Sequence, residues 1–515
     1  MFESQESTPW YRSMVGLIAA SVILPPVGLV LVWMRKNIPL VTKVLATMAI
    51  VVLGAAYFYA YNSWRKSGTN EAHFDALEQD RAKKAEAPVD PAAQSTQAVA
   101  QQQAAAPGAV SGQPGAPAVP ADATAAAHAT KNYWTNFRGP NRDGRYDEMA
   151  VLTQWPATGL RQLWKQPIGI GYSSFVVADG RAYTIEQRRS KEVVAAYDVG
   201  TGRELWTQGW NASFSDSTGD GPRSTPTWDD GRIYALGATG ELRCLDAKTG
   251  TVAWGRNILT ENGASNLQWA MAASPLIVDD KVIVLPGGSN GKSIVAYNKV
   301  SGAPIWKSQS DPQAYVSPML MTLAGRRQIV VVSSSRILGL VPEDGSLLWS
   351  YSWDTDMGIN VSQPIAVDKN RFFISAGYGK GAALVEVTGS GNSLTAKTIW
   401  ENVNMKNKFN SSVLHEGHVY GLDEGILTCL DVNSGARKWK GGRYGYGQVI
   451  LASGHLIITS DKGELVLVKA SPDQFTEVAR FPALEGQTWN YPAIANGKLL
   501  VRNSTQMAAY DIAAQ

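Results

Sequence analysis

Side chains able to carry covalent, metal or acid–base chemistry are few in this chain of 515 residues. Its cysteines are Cys244 and Cys429. Two cannot build a disulfide framework or a cysteine-rich zinc site. The histidines are His73, His128, His415, His418 and His455, and none falls in an HExxH pattern. His415 and His418 flank a glycine turn and read as solvated. One constellation has paired acid and base, Asp423–Glu424 with Lys406 and Lys408. Such a set can move protons, although a surface ion pair is its commoner use. The sequence therefore assigns no catalytic residue and no metal ligand.

The chemistry it does assign is recognition. Tyr172, Arg223, Ala272, Tyr315, Val361, Phe409, Tyr446 and Trp489 recur at one fixed place, three residues before the position that is often proline at the start of an apolar strand. Trp269, Asn360, Lys408, Asn410 and Asn490 lie in the same loops. Trp, Tyr and Arg are the side chains that most often anchor interfaces. Converging on a channel mouth, this set either lines a binding site or plugs the channel and packs its loops. The expected binding face bears Tyr172, Arg223, Trp269, Tyr315, Asn360, Lys408, Asn410, Tyr446, Trp489 and Asn490. In this reading Arg223, in a Gly- and Pro-flanked segment, contributes little to strand packing, and Arg223→Ala leaves stability nearly unchanged.

Elements that could bring these loops together are legible as a repeat. One motif is an apolar strand, a glycine turn and a Trp: AYDVGTGRELW (196–206), CLDAKTGTVAW (244–254), AYNKVSGAPIW (296–306), GLVPEDGSLLW (339–349) and CLDVNSGARKW (429–439). With looser copies, its aromatic falls at 164, 206, 254, 306, 349, 400, 439 and 481, spaced 39 to 52 residues apart. A second motif alternates with it: a small or proline-containing lead, a strand, a turn such as Asp179–Gly180, Asp230–Gly231 or Asn496–Gly497, and another strand. Asp-Gly and Asn-Gly are tight-hairpin chemistry. Four strands per 40–50 residues describe a propeller blade. Eight copies predict an all-β, eight-bladed propeller of four-stranded blades over 133–515. The last unit lacks its fourth strand, and the orphan strand at 160–164 supplies it, so no edge strand is left around the ring. The two cysteines then occupy equivalent places in blades four apart, too distant to bond, and read as small core residues.

What precedes the propeller is of another kind. Residues 14–34 and 44–61 are uncharged apolar runs of 21 and 18 residues, predicting a transmembrane helical hairpin within 1–66, with Pro25–Pro26 kinking the first helix. Arg35, Lys36 and Lys43 in the connection favour a cytoplasmic loop and an extracytoplasmic propeller. Residues 67–132 predict a disordered linker rich in Ala, Pro and Gln, with a short charged helix at 69–87. A net charge of +3, from 47 basic and 44 acidic residues, leaves no footprint for nucleic acid.

The AxDxxTGxxxW pattern resembles the repeat of PQQ-like, quinoprotein alcohol dehydrogenase-like propellers. That superfamily holds the alcohol dehydrogenases, the propeller lipoprotein of the outer-membrane assembly machinery and further bacterial members. NFRGPNRDG (136–144) and the run 221–242 look most like a membrane-anchored bacterial branch. The resemblance implies that Trp164, Trp206, Trp254, Trp306, Trp349, Trp400 and Trp439 dock on the turn of the neighbouring blade. The dehydrogenases carry vicinal cysteines over their quinone and a calcium site, and this chain has no adjacent cysteines and no CxxCH haem motif. The expectation is a non-catalytic scaffold, membrane-tethered outside the cytoplasm, that binds a protein or small-molecule partner and uses no cofactor. The alternative is a PQQ-dependent oxidoreductase.

Overall fold

The computed structural model describes residues 25–86 and 133–514. Contacts divide the chain into two compact units, Met1–Asp75 and Ala76–Gln515. In the first, helix α1 is described over Pro25–Met34. The remainder of the first apolar run, 14–24, lies outside the described residues. A second helix, α2, runs from Leu40 to Glu86. Val32 packs on Ile50, and the Trp33 indole donates to Thr47 Oγ1 at 3.0 Å. The stretch Leu40–Phe58 is long and apolar enough to cross a membrane.

The second apolar run and the charged helix expected at 69–87 are a single element, α2. Between them stand Gly68 and ordinary polar residues. One glycine costs a helix only about 1 kcal/mol relative to alanine, too little to stop it. The Ala/Pro/Gln-rich stretch 87–132 lies outside the described residues.

The propeller has eight sheets. Blades 1 to 7 span 176–211, 227–257, 276–308, 319–352, 365–402, 413–443 and 448–482. Blade 8 combines 493–511 with the strand Gln162–Pro167, which pairs antiparallel with Gln506–Asp511. Ring closure therefore joins the two ends of the propeller sequence in one sheet, as the half-units predict. The hairpin turns adopt the left-handed backbone that their residues favour: Asp179 and Gly180 have φ of 49° and 71°, Asn496 and Gly497 of 49° and 67°. Within a blade the two middle strands are buried on both faces, because neighbouring blades cover them. Lys191–Asp198 is buried along six consecutive residues, whereas the outer strand Glu204–Asn211 is mostly half-exposed.

Aromatic docking between blades has a common geometry. Each of six tryptophans donates its indole N–H to a carbonyl in the next blade's turn: Trp164 to Val199 (2.9 Å), Trp206 to Ala247 (3.1 Å), Trp254 to Lys299 (3.1 Å), Trp306 to Pro342 (3.1 Å), Trp400 to Val432 (2.9 Å) and Trp439 to Ser471 (2.9 Å). Beneath five of these rings sits a turn glycine, Gly202, Gly250, Gly302, Gly345 or Gly435, with φ between 69° and 75°. Trp349 departs from the pattern. Its indole donates to Gln328 Oε1 in its own blade and stacks on Phe372 at 5.6 Å. The cause lies in blade 5, whose outer hairpin is drawn out into two ten-residue strands, Gly381–Ser390 and Ser393–Asn402, and offers no Asp-x-x-Gly turn at that height. Cys244 and Cys429 are both buried and free.

Candidate binding cup at the channel mouth

The residue just before each proline-type position carries a hydroxyl or an amide, and these groups link the blades around the channel. Ser174 N–H donates to Thr225 Oγ1, Thr225 N–H to Ser274 Oγ, Ser274 N–H to Ser317 Oγ, Ser317 N–H to Gln363 Oε1, and Gln363 N–H to Ser411 Oγ. Ser411 N–H reaches the Tyr491 hydroxyl of blade 8, and Ser174 Oγ donates to the Tyr491 carbonyl. Such a belt satisfies backbone donors that the strands leave unpaired and fixes where each loop starts.

Inside the belt lies the NFRGPNRDG segment. Trp134 pairs with Val177 of blade 1, Trp228 N–H of blade 2 donates to the Thr135 carbonyl, and Arg145–Tyr146 adds a parallel strand to blade 7. Arg138 and Arg142 are fully buried between them, 0% and 2% exposed. Arg138 donates to the carbonyls of Ser411, Ser412 and Asp143 and to the Tyr491 hydroxyl. Arg142 donates to the carbonyls of Ser274, Pro275 and Pro318 and to Asn136 Oδ1 and Thr227 Oγ1. Burial pulls the Arg142 guanidinium down to about 9, because no carboxylate offsets the loss of water. Both arginines adopt positive φ, 64° and 59°, a conformation unusual for non-glycine residues. The segment is a plug, and it gives the channel a floor.

Above the plug a cavity of about 190 Å³ opens among the loops that lead into the blades. Its wall is aromatic: Tyr172, Trp269, Tyr315, Phe409 and Trp489, with Phe137 of the plug and Tyr491. Trp489 stacks on Phe409 at 5.5 Å and on Tyr172 at 5.8 Å, and Trp269 meets Tyr315 at 5.7 Å. Polar groups are sparse, Thr218, Arg223, Asn410 and Ser411 among them. Phe409 sits at φ 65°, a strained geometry for a bulky residue that clusters at working sites.

Of the sequence-predicted residues, Tyr172, Arg223, Trp269, Tyr315, Asn410 and Trp489 line the cavity, together with Ala272, Val361 and Phe409. Tyr446 stands behind the wall, edge-on to Phe409 and Trp489. Lys408 lies over the rings of Tyr378, Phe409 and Tyr446, 4.9 to 5.8 Å from their centroids. Two expectations need correction. Asn360 and Asn490 are 2% exposed and are not presented to a partner. Asn360 holds the Ser333 carbonyl, and Asn490 those of Gly171 and Ser173, because loops without regular partners need amide braces. Nor is Arg223 idle in packing. It pairs with Asp216 at 2.7 Å, donates to the carbonyls of Gly219 and Gly221, and lies over Tyr172 and Phe214. Removing it would loosen the loop as well as alter the wall.

Residues that sequence reasoning missed are Phe137, Thr218, Ile359, Ser411 and Tyr491. A signal existed for Phe137. NFRGPNRDG has neither strand period nor helix period, yet it precedes a ring with a central hole. Asp423 and Glu424 form a brace: buried Asp423 takes Lys440 and the Lys406 N–H, and Lys406 Nζ reaches Glu424 at 3.2 Å. No group of three His, Cys, Asp or Glu able to hold a metal occurs among the described residues. The cysteines lie in separate cores, and the plug arginines fill the channel below the cavity.

A family model described as outer membrane protein assembly factor BamB matches residues 190–441. BamB of Yersinia pestis is 22% identical over 277 residues, 51% of this chain and 68% of that protein. A quinoprotein ethanol dehydrogenase of Pseudomonas putida is 27% identical over 184 residues, 30% of this chain and 29% of the dehydrogenase. The crystal structure of the quinohemoprotein alcohol dehydrogenase of Comamonas testosteroni superposes with a TM-score of 0.50 at 15% identity, covering 76% of this chain and 82% of that one. That likeness concerns fold alone.

Proposed function

We propose that this eight-bladed propeller, similar to the PQQ-like family, is a non-catalytic binding scaffold, tethered to the cytoplasmic membrane, which takes a protein partner at the aromatic cup. The observation that carries this reading is the cup itself: aromatic rings from several blades around a closed floor, with no nucleophile, base or metal set among them. Rigid strands place each loop, so the site is pre-formed. The BamB relatives are named for assembly of outer-membrane proteins, which favours a protein over a metabolite. The quinone-dependent alternative draws on the dehydrogenase likeness, but the plugged channel and separated cysteines speak against it.

Trp269→Ala tests the cup. The ring is half-buried and its one close aromatic neighbour is Tyr315, so the fold needs it little. Capture of the native partner by the cross-linked full chain should fall about tenfold, as for loss of an interface anchor, with the melting temperature nearly unchanged. Undiminished capture would refute the site. Topology is tested separately by reporters fused after Gln515. A reporter that works only outside the cytoplasm should be active there, and activity of a strictly cytoplasmic one would reverse the orientation.

A further inference from the structure

Resting on the reading that the cup is a binding face, we propose that its occupant is a segment of a partner protein presenting a single ring-sized apolar side chain flanked by acidic residues. Volume sets the first half of this. A cavity of about 190 Å³ holds one aromatic or leucine-sized group, since about 150 Å³ suffices for a benzene ring. Half of its lining residues are aromatic and Ala272, Ile359 and Val361 are aliphatic, so the group it desolvates is apolar.

Charge sets the second half. Beneath the floor lie the guanidiniums of Arg138 and Arg142, held by carbonyls and hydroxyls rather than by a carboxylate. Arg138 lies 5.0 Å from the ring centroid of Tyr491, which lines the cavity. In a low-dielectric interior such charges reach further than in water. At the rim Lys408 rests on aromatic faces alone, with no carboxylate in ion-pair distance among the described residues. The ring faces that would attract a cationic guest already hold a cation there. Asp143 of the plug acts on Arg138, and Arg223 in the wall is offset by Asp216, so the charges left to bias an occupant are those of Arg142 and Lys408, and both favour an acidic segment over a basic one. Met357, 80% exposed with φ of 64°, stands two residues before Ile359 of the cavity wall.

The test uses the full chain in detergent and three fluorescein-labelled pentapeptides, Glu-Asp-Phe-Asp-Glu, Lys-Lys-Phe-Lys-Lys and Glu-Asp-Ala-Asp-Glu, read by anisotropy. The acidic phenylalanine peptide should bind about tenfold or more tightly than either of the others and weaken as salt rises. Lys408→Glu should weaken the acidic peptide and strengthen the basic one, a reversal that a merely unfolded variant could not give. Equal or tighter binding of the basic peptide, or no reversal with Lys408→Glu, overturns the inference. So does failure of every peptide to bind. If Trp269→Ala still abolishes native capture in that case, the binding face stands and only its charge preference falls. If Trp269→Ala leaves capture intact, the binding-face reading itself has failed.

Discussion

Arg142→Ala should destabilise the propeller by about 2–4 kcal/mol, as for breaking a buried hydrogen-bond network. The side chain is 2% exposed and donates to blade 2 through Thr227, blade 3 through Ser274 and Pro275, and blade 4 through Pro318. Alanine strips a donor from each of those acceptors; the Pro275 carbonyl keeps Thr227 Oγ1, and any acceptor left unpaired inside the ring costs roughly 1–3 kcal/mol before water enters. It also empties the centre of the plug. The desolvation that pulls this guanidinium to about 9 is a real cost, and losing it returns part of the energy. Hence the net is a few kcal/mol and not the sum of five bonds. Arg142→Lys should recover less than half, because an ammonium cannot span a planar fork of acceptors. Urea unfolding of the full chain in detergent, followed by near-ultraviolet circular dichroism, gives both values. A loss below about 1 kcal/mol would show that the plug rests on the ring without holding it.

Blade number, blade closure and the loop positions at the cup were legible because each depends on local signals repeated eight times. Asp-Gly turns, the small or proline-containing strand lead and the terminal aromatic keep register with one another, so one unit calibrates the next. Counting three residues back from the proline position found Tyr172, Arg223, Tyr315 and Trp489 for that reason. What stayed hidden depends on singular, long-range contacts. Arg138 meets Tyr491 across 353 positions of sequence, and no periodicity foretells it. Asn360 and Asn490 have the composition of recognition residues and the burial of braces; only the path of the neighbouring carbonyls tells these apart. Trp349 matches the repeat but lost its usual acceptor through the longer hairpin of the next blade, a change outside its own motif. The run of α2 past Ser67 was obscured by a change of composition without a change of helix propensity.

Trp306→Ala should cost about 3–5 kcal/mol, the usual range for emptying a buried tryptophan site. The ring is 9% exposed and packs with Ala273, Leu276, Ile329 and Leu338 from blades 3 and 4. Trp206 is a weaker probe of the same role, since it is only half-buried. Gly345 lies beneath the Trp306 indole at φ 74°, where a Cβ would stand 2.7 Å from the ring. Gly345→Ala therefore suffers twice in the wild-type background: about 1–2 kcal/mol for a left-handed alanine, and the displacement of the indole from the turn. In the Trp306→Ala background the second cost vanishes, because the space above the turn is empty. The two substitutions should consequently be non-additive, with a coupling of roughly 1–2 kcal/mol in a double-mutant cycle. The same cycle built on Trp349 and any turn glycine of blade 5 should show none, because the Trp349 indole bonds Gln328 within its own blade. Additivity at Trp306 and Gly345 would mean that the indole's contact with the turn is incidental and that the blades are joined by the aliphatic cluster around it.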